Sequence, residues 1–114
     1  MNEKRLFLNL TTEPFLDFKE RGKKYEIRAY GRASLTEESI KSGRRVELRK
    51  AYNRGSLWGQ VGQVIVGSIE KIFNRVDYKL IEPRATSKEQ AIQENKDLLK
   101  NPERYIAFEI ILDD

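Results

Sequence analysis

Strand-like alternation at several points along the chain limits the folds open to it. Leu6, Leu8 and Leu10 alternate with Arg5, Phe7 and Asn9 in "RLFLNLT". Tyr25, Ile27 and Ala29 alternate with Glu26, Arg28 and Tyr30, and Val46 and Leu48 with Arg45, Glu47 and Arg49. Residues two apart share a strand face, so each stretch predicts one apolar and one polar face. "QVIVGSIEKIF" predicts a long apolar strand bent at Gly67, and "NRGSLWGQVG" before it a loop or bulged strand entry. "RYIAFEIIL" predicts a last strand with Ile106, Phe108, Ile110 and Leu112 on one face.

Two helices fit between these strands. "TTEPFLDFKERG" has Thr12 to cap, Pro14 for the first turn, Phe15 and Phe18 on one side, and Gly22 to stop it. "TSKEQ" offers a cap at Thr86 or Ser87, with Glu89 or Gln90 three residues on. Ala91, Ile92, Leu98 and Leu99 supply the buried stripe, and Asn101-Pro102 ends it. The expected order is β-α-β-β-β-α-β, an α+β chain with a small, mostly antiparallel curved sheet or barrel. A length of 114 residues suits one domain, 1–114.

Composition narrows the chemistry. The chain has no cysteine and no histidine. Disulfides, zinc sites on Cys or His ligands, and histidine acid–base catalysis are therefore closed to it. No metal or cofactor is expected. Glu89, Glu94 and Asp97 read as a solvated helix face. No apolar run is long enough to span a membrane, and the start has no signal-peptide pattern, so a cytoplasmic location is expected. Positive charge is concentrated early: residues 1–54 hold 14 Lys/Arg against 8 Asp/Glu, within an overall net charge of +4. A basic half points to a polyanionic partner, nucleic acid above all, with a merely solubilising surface as the plainer reading.

"FLDFKERGKKYEIRAYGR", "IKSGRRVEL", "GQVIVGSIEKIF", "PRATSKEQAI" and "RYIAFEIIL" together resemble the ASCH domain family of the PUA-like superfamily. The family signature is glycine, any residue, lysine, two of any, glutamate, any, arginine. Its E-x-R falls on Glu26-Ile27-Arg28. Counting back puts the lysine at Lys23 and the glycine position at Arg21, with Gly22 one place late. Either Lys23 or Lys24 matches the signature lysine. The resemblance implies a small PUA-like β-barrel with two covering helices and a role with RNA. Some small members are amidohydrolases that remove acyl groups from acylated cytidine nucleosides. They use the signature lysine, a threonine two or three residues on, and a distant glutamate before the second helix. Here Glu26 stands at the threonine position, so that hydroxyl nucleophile is missing, and Glu82 of "IEPRATS" corresponds to the distant glutamate.

The residues support a binding site on their own terms. Alternation puts Glu26 and Arg28 on one strand face, roughly 7 Å apart, with Lys23 or Lys24 at its mouth. The cations suit an anion, and Glu26 suits the amine of a base edge. Tyr30 follows on the same face. The plainer reading is a structural salt bridge on a barrel wall. A second basic group, Arg44, Arg45, Arg49, Lys50 and Arg54, is interleaved with Tyr52 and Trp58, as phosphates and stacked bases would require. A lone tryptophan is more often core, and that reading is favoured for Trp58.

The expected function is binding of RNA or a nucleotide-like ligand. Lys23, Lys24 and Arg28 hold its anionic part, Glu26 reads a base, Tyr30 lines the same cleft, and Arg45, Arg49 and Trp58 extend the surface. One alternative is a hydrolase of a modified nucleoside or of RNA, with Lys23, Lys24, Glu26 and Glu82 as its catalytic candidates. Another is a protein–protein adaptor.

Overall fold

In the computed structural model, which describes residues 5–51 and 54–113, the alternating stretches form one sheet. In chain order the elements are β1 (Leu6–Leu10), α1 (Thr12–Glu20), β2 (Tyr25–Ala29), β3 (Arg45–Lys50), β4 (Arg54–Gly67), α2 (Ile69–Arg75), α3 (Tyr78–Ile81), α4 (Lys88–Leu99) and β5 (Tyr105–Leu112). The strand order is β1-β3-β4-β5-β2. β1 runs parallel to β3, with Phe7 beside Glu47 and Asn9 beside Arg49. The other neighbours are antiparallel. The result is a curled half-barrel of α+β class, as expected. Its edge strands, β1 and β2, are not paired with each other.

Both faces of the sheet carry a core. Leu8 and Leu10 of β1, Val46 and Leu48 of β3, and Ile106, Phe108 and Ile110 of β5 meet Phe15 and Phe18 of α1 on the inner face. Tyr25 and Ile27 of β2, with Tyr105 and Ala107 of β5, pack on the other side against Ile69, Ile72 and Phe73 of α2, Ile81 of α3 and Ala91 of α4. β5 is thus buried on both faces, which is why its sequence is apolar at nearly every position.

The main departure from the expected element order lies after Gly67. "SIEKIF" does not continue the strand. The Ser68 hydroxyl accepts the Lys71 N–H at 3.1 Å, and Ile69, Ile72 and Phe73 fall at helical spacing, so α2 begins there. With α3, this gives four α-helices among the described residues, where two were expected. Of the two readings of "NRGSLWGQVG", the bulged strand entry is found: from Arg54 on it is the first half of β4, with a register shift against β3 between Leu48 and Lys50. In α1, Thr11 rather than Thr12 is the N-cap. The Ser87 hydroxyl caps α4 by accepting the Gln90 N–H. Leu98 falls outside its buried stripe and is 76% exposed.

Gly59 lets β4 and β5 approach closely. A Cβ there would lie 2.5 Å from the Ile111 carbonyl oxygen, a backbone atom that cannot swing aside. Gly59→Ala is expected to destabilise the fold by about 1–3 kcal/mol, read as a lower denaturation midpoint in urea.

Candidate functional site

The half-barrel's open seam is a cleft of about 360 Å³. β1 and the turn after it supply Asn9, Leu10 and Thr11, and α1 supplies Pro14. The opposite wall is Lys23 with Glu26, Ile27 and Arg28 of β2. Glu82 and the α4 residues Asn95, Leu98 and Leu99 close the end.

Local structure explains how the charged groups arrive there. Gly22, at φ +84°, turns the chain out of α1, a conformation that glycine adopts without strain. Lys23 then enters the interior, 6% exposed. Its Nζ donates to the Ile81 carbonyl at 2.5 Å, lies 3.7 Å from Glu26 Oε1, and sits 5.2 Å from the centre of the Phe18 ring. The Tyr25 and Ile27 side chains belong to the outer core, so Glu26 and Arg28 face the cleft. Arg28 grips Glu26 Oε2 through Nε at 2.7 Å and its terminal nitrogen at 2.6 Å. Glu26 is nearly buried and its charge is matched by two cations.

Glu82 has a different environment. Burial pushes its carboxyl above the usual range, Lys23 opposes that, and a hydrogen bond shared with Glu94 adds to it. The loop that carries Glu82 is tied to α1 by Arg84, whose Nε donates to the buried Asp17 carboxylate at 3.0 and 3.1 Å. Burial raises the Asp17 carboxyl, but the hydrogen bonds from Arg84 and Arg21 outweigh it and hold the group below its ordinary value.

The structure therefore brings Lys23, Glu26, Arg28 and Glu82 together. Lys24 is exposed and does not line the cleft; with Lys23, Phe18, Gly22 and the end of β5 it lines a neighbouring hollow of about 460 Å³. Tyr30 is not among the cleft-lining residues. β2 ends at Ala29, and beyond it the Tyr30 hydroxyl bonds Glu37 while the Arg104 guanidinium lies 4.2 Å from its ring centre. Sequence reasoning passed over Asn95, which is 5% exposed with its side-chain amide donating to the Ala91 carbonyl at 2.8 Å. The available signal was a polar residue four places after Ala91, on the apolar stripe of α4.

Arg45, Arg49 and Trp58 lie on the outer face of β1, β3 and β4, outside the cleft lining. Trp58 is not core, as it was expected to be, but 40% exposed. Phe7, Glu47 and Trp58 form a row across the three strands. Glu47 is buried beneath the arginines. It accepts from Arg5 Nε at 2.9 Å, and from Arg49 Nε and the Ser56 hydroxyl at 2.8 Å each. The Arg5 guanidinium lies 4.9 Å from the Phe7 ring centre and 5.4 Å from that of Trp58, and the Arg49 guanidinium 4.1 Å from Phe7. Arg45 pairs with Asp113 at 2.6 Å. Tyr52 lies outside the described residues.

The Arg49 hydrogen bond, against the cost of burial and with help from Ser56 and Arg5, pulls the Glu47 carboxyl down to about 2. A depressed carboxyl stabilises the fold above its unfolded-state value, and that contribution is lost as pH falls toward 2. Glu47→Gln is expected to flatten the decline in thermal midpoint between roughly pH 5 and pH 2 relative to the parent chain.

The fold is that of known ASCH structures, a half-barrel with helices at its open side. Known structures share it. Hypothetical protein PH0355 superposes with a TM-score of 0.72 at 18% identity, covering 96% of this chain and 100% of that one. Protein PF0455 from Pyrococcus furiosus gives 0.66 at 23% identity, over 96% and 97%. ASCH from Zymomonas mobilis gives 0.65 at 16% identity, over 99% of this chain and 69% of that one. At these identities the likeness defines the fold alone. No protein-family model and no curated protein matches the sequence. Among the described residues, no helix is long and apolar enough to cross a membrane.

Proposed function

We propose that the seam cleft binds a nucleotide unit, of RNA or of a nucleotide-like ligand. The supporting observation is the convergence of Lys23, Glu26, Arg28 and Glu82 on one cavity large enough for a base and sugar. Lys23 and Arg28 supply donors for phosphate or carbonyl oxygens, and Glu26 accepts from the exocyclic amine of cytosine or adenine. The PUA-like fold fits this reading, because the family that the chain resembles is tied to RNA. Lys24, in the neighbouring hollow, is not part of this cleft.

The alternative with a specific observation behind it is hydrolysis of an acylated cytidine, since Lys23 and Glu82 share the cavity. Binding is favoured over it. The Lys23 Nζ is already engaged, donating to the Ile81 carbonyl and lying beside the Glu26 carboxylate. Glu26 also replaces the threonine that such chemistry uses.

Cytidine monophosphate is expected to bind, more weakly as salt rises, and Arg28→Gln to weaken it about tenfold or more by isothermal calorimetry. Binding that is indifferent to Arg28 would reject the cleft as the site. Turnover of an acylated cytidine that Lys23→Ala abolishes would replace binding with hydrolysis.

Glu82 gives the pH dependence its sign. Its carboxyl stays neutral to higher pH than usual, and ionises as pH rises through that raised value. An anionic ligand is therefore expected to bind more weakly as pH rises above the ordinary carboxylate range and Glu82 ionises. Glu82→Gln should remove most of that trend.

A further inference from the structure

The outer face of β1, β3 and β4 carries features that a cleft for one nucleotide does not use. Phe7 is 42% exposed and Trp58 40%, on either side of Glu47, while α1 packs on the inner face of the same strands. Large aromatics on a bare sheet face are costly to solvate unless something covers them. Here the guanidinia of Arg5, Arg45 and Arg49 lie within 6 Å of one or both rings. Their side chains remain 44%, 47% and 31% exposed. The one carboxylate under the rings, Glu47, is 4% exposed and is hydrogen-bonded to Arg5 and Arg49. It fixes Arg5 and Arg49 in place and shows little negative charge to a partner, while Arg45 is held by the half-exposed Asp113 carboxylate, which leaves three cations against two carboxylates. The surface combines π-faces with accessible positive charge, the pairing that single-stranded nucleic acid requires.

This face is continuous with the cleft. β1 is the edge strand between them, and its outward residue Asn9 both lines the cleft and stands beside Arg49 in the parallel register. A second hollow, of about 280 Å³, shares Asn9, Leu10 and Thr11 with the cleft and extends to Ala51 at the end of β3. A chain leaving the cleft over β1 therefore meets Arg49 and Phe7 next, with Trp58 two strands further on. Neighbouring strands are about 4.8 Å apart, so the path suits a few nucleotides.

We propose that the protein takes a single-stranded polynucleotide, seating one nucleotide in the cleft and running the adjoining strand over β1 onto the Phe7–Trp58 face. This rests on the cleft being a nucleotide site. There the adjoining bases stack on Phe7 and Trp58, and Arg5, Arg45 and Arg49 meet the phosphates. The charge of the face selects this occupant over a second copy of the chain, whose matching face would bring arginines against arginines.

Trp58 is the chain's single tryptophan, so its fluorescence reports this face alone. The full chain is titrated at low salt with cytidine monophosphate and with an oligocytidylate of about eight nucleotides, in ribo and deoxyribo forms. Calorimetry measures affinity and emission reports stacking. The oligomer, in either sugar form, is expected to quench Trp58 and to bind at least about tenfold tighter than the monophosphate, which leaves Trp58 unquenched. Phe7→Ala is expected to lower oligomer affinity about tenfold and to leave monophosphate affinity unchanged. Circular dichroism confirms that the variant is folded.

Equal affinity for monomer and oligomer, or an oligomer that binds without quenching Trp58, overturns the track and leaves the cleft intact. Quenching that appears on raising protein concentration alone, together with dimer formation by light scattering, overturns it in favour of self-association. If the monophosphate does not bind, or binds regardless of Arg28→Gln, it is the cleft reading that fails.

Discussion

β2 is held to the sheet by one neighbour only. Its register with β5, Glu26 beside Phe108 and Arg28 beside Ile106, satisfies one edge and leaves the other facing β1 across a gap. Closing the barrel would have joined those edges and filled the space with side chains. Because it stays open, the inward positions of β2 lack apolar neighbours across the gap, and charged residues can stand there. Lys23, Arg28 and Glu26 then compensate each other where any one alone would be costly. Arg84 and Asp17 fasten the loop of Glu82 against α1, so the cleft has a fixed end as well as fixed walls. The open seam is both the departure from a closed barrel and the reason for a site.

Much of this was legible from residue spacing. Period-two alternation located β1, β2 and β3 and put Glu26 and Arg28 on one face, because the pleat leaves a strand no other choice. The α1 and α4 segments carried their own start and stop signals. The choice between Lys23 and Lys24 was open in the sequence, since both cations flank the strand entry. It is set by the Gly22 turn and by the Ile81 carbonyl, which comes from 58 residues away.

What was not legible depended on tertiary cover. "QVIVGSIEKIF" carries apolar residues along its whole length, and period alone does not separate a buried strand from a buried helix. The Ser68 cap decides it. Leu98 reads as part of an apolar stripe, but α4 ends over the seam and leaves it bare. Trp58 reads as core by habit of residue type. It is exposed because α2, α3 and α4 gather over β2, β5 and the far half of β4, leaving the outer side of β1 and β3 without a helix.

The strand order also bears on how the molecule comes together and comes apart. β1 joins β3 across some forty residues of chain, and β2 joins β5 across about eighty. Both edge strands thus depend on long loop closures, an arrangement of high contact order that slows folding. The reverse holds on opening. An edge strand paired on one side detaches at lower free energy than a central one, so fraying of β1 or β2 would dissolve the cleft while the doubly buried β5 still holds the core. A bound ligand that bridges the seam would act as the missing pairing between the edges, and its binding would slow amide exchange in β1 and β2 by a larger factor than in any other element.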